Sequence, residues 1–143
     1  MAAYPSIKQL FFSERIAAIP SDRIYEIDVP LNGQIEDSVF LDKNRYCSFI
    51  VEFSIKYTDE PFHRITVTLL KDGAEVLKQR YIPRDDAVMT RSSQRASGKY
   101  TSQKFRGTLE RVTIPEAGKY TILIESYFDE NLAELDYYRF YIK

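Results

Sequence analysis

Apolar and polar residues alternate along most of this chain, and no segment carries a sustained apolar stripe at helical spacing. The clearest case is Cys47 to Tyr57: Cys47, Phe49, Val51, Phe53, Ile55 and Tyr57 face one way, and Ser48, Glu52, Ser54 and Lys56 face the other with Ile50. That pattern predicts a strand with one core face. Arg64 to Leu70 repeats it with Ile65, Val67 and Leu69 inward, and Asp72-Gly73 then supplies the positive φ of a tight hairpin that returns through Val76 to Ile82. Further strands are predicted over Ile7 to Ile16, Ile24 to Val29, Lys119 to Tyr127 and Asp136 to Ile142. Pro20, Pro30, Asn32-Gly33 and an acidic turn at Asp129-Glu130-Asn131 punctuate them.

The run from Gly107 to Glu125 reads as two antiparallel strands meeting at a Pro115-Glu116-Ala117-Gly118 corner, with Tyr120 set just beyond the glycine. Together these segments predict an all-β fold: an antiparallel β-sandwich of about seven to eight strands in a single domain, 1–143. The predicted core is Phe49, Val51, Phe53, Ile65, Val67, Leu69, Ile122 and Ile124. A chain of 143 residues is long enough to close one core without staples.

The segment 83–104 breaks the pattern. It is rich in Ser, Arg, Thr and Asp, its periodicity is weak, and it is too long for an ordinary connection in so small a domain. Two readings stand: a hidden short edge strand near Ala87 to Thr90, or a long basic functional loop. From Pro83 to Arg106 six cations (Arg84, Arg91, Arg95, Lys99, Lys104, Arg106) meet two acids (Asp85, Asp86). This local excess sits in a chain of net charge −1.

The residues from Leu109 to Tyr120 resemble the immunoglobulin-like superfamily, in which the tyrosine of a Gly-x-Tyr corner bonds back to the upstream backbone; Gly118 and Tyr120 occupy those positions here. The chain has no tryptophan and no cysteine after Tyr120, so it departs from antibody-type domains. Its layout is also similar to small bacterial and phage immunoglobulin-like families of unassigned function, through an opening apolar strand, the Lys71-Asp72-Gly73 hairpin and the Pro115-x-x-Gly118-x-Tyr120 corner. The resemblance implies an immunoglobulin-like sandwich and transfers no functional residue.

Candidate chemistry is sparse. His63 is the sole histidine and falls in a predicted turn, where it reads as a solvated residue; an enzyme would need it beside a carboxylate such as Asp59 or Asp129. With one cysteine and one histidine no Cys/His zinc set can be completed, and no phosphate-cradling glycine loop is present, so no metal and no cofactor is expected. The lone Cys47 argues against an oxidising compartment. Leu10-Phe11-Phe12 runs into Ser13-Glu14-Arg15, unlike a signal peptide, and no apolar stretch reaches membrane-spanning length, so a cytoplasmic protein without a membrane partner is expected.

The eleven tyrosines are more informative. Alternation through Tyr137-Tyr138-Arg139-Phe140-Tyr141 sets Tyr137, Arg139 and Tyr141 on one face, an aromatic and arginine stripe of the sort enriched at interfaces. With Arg91, Arg95 and Lys99 as an adaptable basic element, the sequence favours a non-enzymatic protein-interaction or assembly module of a bacterial or phage intracellular system, acting on a protein partner or by self-association. The alternative is a ligand-binding sandwich for carbohydrate or single-stranded nucleic acid, using Tyr137, Tyr141 or Tyr100 as a stacking platform.

Overall fold

Alternating sequence becomes strand almost throughout. A computed structural model of the protein describes residues 23–42 and 46–143, and within them the chain forms β1 (Tyr25–Asp28), β2 (Gln34–Leu41), β3 (Tyr46–Tyr57), β4 (His63–Lys71), β5 (Ala74–Tyr81), the single helical turn α1 (Pro83–Asp86), β6 (Val88–Ser97), β7 (Tyr100–Thr113), β8 (Gly118–Phe128) and β9 (Leu132–Ile142). The expected strand at Ile7 to Ile16 lies outside the described residues.

The strands form a five-stranded sheet, β1-β9-β3-β7-β6, and a four-stranded sheet, β2-β8-β4-β5, with every pairing antiparallel. Among the described strands only β4–β5 and β6–β7 are consecutive neighbours in one sheet; the others alternate between the two sheets. This order corrects the immunoglobulin-like expectation. In that fold the last two strands lie side by side, whereas β8 and β9 here belong to different sheets. With β6 set aside, the remaining eight strands follow the order of a jelly roll. The corner that suggested the immunoglobulin order is local turn chemistry, and it serves any strand that crosses between sheets.

That corner is built as its residues require. Gly118 has φ 149°, and Tyr120 is fully buried with its hydroxyl donating to the Glu116 carbonyl oxygen at 2.6 Å. The Asp72-Gly73 turn likewise takes φ 54° and 80°, the left-handed pair that a two-residue hairpin demands.

The core lies between the sheets. All six inward residues of β3 are buried, Cys47 among them, and they meet Ile65, Val67, Leu69, Ile122 and Ile124 from the facing sheet. Each such side chain contributes roughly 1.5–3 kcal/mol by leaving water. Phe53 is the aromatic hub: it stacks on Phe105 at 4.9 Å and meets Phe128 edge-on at 5.8 Å.

Segment 83–104 is not a loop. It holds α1, the whole of β6 and the first part of β7, so the hidden strand is far longer than Ala87 to Thr90. Proline opens α1, the Asp86 carboxylate accepts the Ile82 N–H at 2.6 Å, and Arg84 ties the turn down through the Pro61 carbonyl oxygen at 2.9 Å and Glu60 at 3.0 Å. Ala87 then rests on Gly107 of β7, where a Cβ would lie 2.7 Å from the Ala87 methyl. Gly98, at φ 62°, opens the two-residue turn into β7.

Candidate functional site

Side chains directly opposite one another in paired strands share a face, so the register assembles the surface of the five-stranded sheet that points away from the core. One row across it reads Asp28, Arg139, Glu52, Arg106, Arg91; the next reads Tyr137, Ser54, Lys104, Ser93; a third reads Glu134, Lys56, Ser102, Arg95. The two sets singled out in the sequence therefore meet on one face. Tyr137 and Arg139 come from β9, Arg91 and Arg95 from β6, and Lys99 stands exposed in the β6–β7 turn.

Tyr141 does not join them as an accessible residue. Parity does place it on this face, opposite Glu26 and Ile50, but it is 0% exposed. The Arg23 guanidinium lies 3.7 Å from its ring centroid, and its hydroxyl is buried without a hydrogen-bond partner, as is Arg23 Nε. Alternation reports only which way a side chain points; the arginine that covers this one comes from outside the strand.

Charge is divided across the face. On the β1–β9–β3 side cations and acids are paired: Arg139 with Glu52 at 3.3 Å, Arg23 with Glu26 at 2.5 Å, and Lys56 with Glu134 at 3.3 Å. On the β6–β7 side Arg91, Arg95, Lys104 and Arg106 make no ion pair among the described residues. Between the halves runs a shallow groove of about 300 Å³ lined by Glu52, Arg91, Ser93, Lys104, Arg106 and Tyr137. The Arg139 guanidinium covers the Tyr137 ring at 4.5 Å, and Lys99 approaches Tyr100 at 5.3 Å.

Among the described residues β6 is the outermost strand on this side, and every described side chain along it is exposed, on both faces. The four-stranded sheet does not reach over it. Core burial therefore contributes nothing along the described side chains of β6, which is held by its ladder with β7 and by the α1 anchor.

A second region lies at one end of the sandwich, where a cavity of about 90 Å³ opens between the sheets beneath α1, lined by Phe53, Phe105, Phe128, His63, Gln103 and Pro83. His63 is buried here, which corrects its reading as a solvated turn residue. Its Nδ1–H donates to the Tyr127 carbonyl oxygen at 2.9 Å, so Nε2 accepts the Tyr138 hydroxyl at 2.5 Å. Burial, the dominant cause, lowers its pKa from 6.5 to about 4 and pushes the Tyr138 hydroxyl well above its usual value. Both ring nitrogens are thus occupied, and the Asp129 carboxylate accepts the Phe62 and Asn131 N–H groups, each at 3.0 Å.

Among the described residues no three His, Cys, Asp or Glu side chains gather to hold a metal, and no helix is long and apolar enough to cross a membrane. Lys56 and Glu52, central to the outer face, were visible in the alternation of β3; Arg23 was not, because it precedes its strand. Compared with family models, curated proteins and solved structures, the chain matches none.

Proposed function

We propose that the protein is a non-enzymatic interaction module that docks a protein partner on the outer face of the β6–β7 wing, with Arg91, Arg95 and Lys99 as the basic contacts and Tyr137 and Arg139 at the rim. The wing supports this reading: β6 is a long strand that buries none of its described side chains, and it carries unpaired cations on the side away from the core. Ordering a strand costs roughly 1–2 kcal/mol per residue in backbone entropy, and here no described side chain offsets it by core burial. Unpaired exposed cations also steer acidic partners during encounter.

A nucleic-acid reading draws on one specific observation, the placing of Tyr100 on the same face as Lys56, Lys99 and Lys104. The carbohydrate reading loses ground, because Tyr141 is buried and Arg139 occupies one face of Tyr137.

The test is affinity capture with the full chain and with Arg91→Glu/Arg95→Glu/Lys99→Glu, followed by titration of the purified captured protein. A discrete protein bound by the wild type and released by the folded variant is expected. Recovery that is unchanged in the variant, or that vanishes with nuclease, would overturn the proposal.

A further inference from the structure

We infer that β6 is a receiving edge: an extended acidic segment of a partner protein pairs with it as a sixth strand of the sheet, its carboxylates facing Arg91 and Arg95. This rests on the docking reading of the β6–β7 wing and specifies the chemistry of the partner.

An edge strand presents unpaired N–H and C=O groups at alternate residues. Proteins that block such edges use proline, bulges, very short strands or charged side chains, and of these β6 carries only charges between Arg91 and Ser97. β6 has ten residues and no proline, and its register with β7 runs without interruption from Arg91 to Ser97, the irregularity lying before Arg91. Between the arginines stand Ser92, Ser93 and Gln94, and Ala96 and Ser97 follow, so small side chains leave most of the backbone edge open.

Charge selects the occupant. Arg91 and Arg95 share the outer face and lie about 14 Å apart along the strand, given roughly 3.4 Å per residue. An added strand repeats its side chains on that face about every 7 Å, so acids four residues apart meet both arginines, with Arg106 and Lys104 in the adjacent strand behind them. A second copy of β6 paired symmetrically about Ser93 would instead set Arg91 against Arg95, and like charges directly opposite are destabilising. That register of self-pairing is disfavoured, and the partner that complements the two arginines is acidic and extended.

The experiment titrates the full chain with a fluorescent ten-residue peptide alternating Glu and Thr, beside an alternating Lys and Thr peptide and a ten-nucleotide oligo-dT, and follows β6 amide hydrogen exchange. Expected are binding of the acidic peptide alone, new protection at alternate β6 amides, and a weakening of roughly tenfold or more in both Arg91→Glu/Arg95→Glu and Arg91→Gln/Arg95→Gln, with melting temperatures confirming that both variants fold. Tighter binding of oligo-dT, an unchanged affinity in the variants, or binding without β6 protection would overturn the inference. A captured native partner that still depends on the arginines while the peptide fails to bind would overturn strand addition alone and leave the docking reading standing; loss of both would remove both.

Discussion

The Tyr138 hydroxyl donates to His63 Nε2 at 2.5 Å, joining β9 of one sheet to the first residue of β4 in the other. With Nδ1–H committed to the Tyr127 carbonyl, the imidazole is held neutral in the folded protein. The folded pKa is about 4 against an ordinary value of 6.5, so between these values the unfolded chain binds the proton and the folded one does not. Stability from this group is complete above pH 6.5, declines as pH falls towards 4, and changes no further below that. The loss should amount to about 3 kcal/mol. Urea denaturation from pH 7.5 to 4 should show a shallower decline in His63→Gln than in the wild type; identical slopes would refute the assignment.

Tyr120→Phe deletes the hydroxyl that reaches the Glu116 carbonyl while leaving the buried ring in place. The expected cost is about 1 kcal/mol, the net worth of one such bond, read as a lowered urea midpoint with an unchanged slope. No shift would mean that the hydroxyl does not hold the corner.

Gly107→Ala should destabilise the fold by roughly 1–3 kcal/mol, the range for forcing extra volume into a packed site, because its new methyl would lie 2.7 Å from that of Ala87. Adding Ala87→Gly should restore most of the loss. A double variant no more stable than Gly107→Ala would show that the strain lies elsewhere, and thermal melts of all three proteins decide it.

Reversing Arg91, Arg95 and Lys99 together should leave stability within about 0.5 kcal/mol of wild type, as for surface positions free of special contacts. All three are exposed. A large drop in the calorimetric melt would mean that the wing supports the sandwich after all.

Strands with one apolar face were legible in the sequence. β3 and β4 could be read residue by residue, and the Asp72-Gly73 turn announced itself. β2 was missed because Asp37 interrupts its inward set of Ile35, Val39 and Leu41, and Asp37 is accommodated there by the Tyr25 hydroxyl at 2.9 Å, a partner that local pattern does not reveal. β6 was hidden for the opposite reason: none of its described side chains is buried, so it lacks the signal by which strands are recognised. The separate halves of the candidate face, Tyr137 with Arg139 and Arg91 with Arg95, were both visible. That they share one surface depends on β3 and β7 lying between β9 and β6, and strand order is decided by pairings between segments far apart in the chain.

β9 lies between β1 and β3, so Tyr25 is paired with Ile142 and Phe53 with Tyr138. Ladders between such distant segments must first overcome the entropy of closing a long loop, which places all-β chains of this kind in the millisecond-to-second range of folding. The β6–β7 hairpin is under no such delay, since short hairpins close in about 1–10 μs. The strand that the core needs least is thus among those the chain can form earliest, while the ladders through β9 must wait for distant segments to meet.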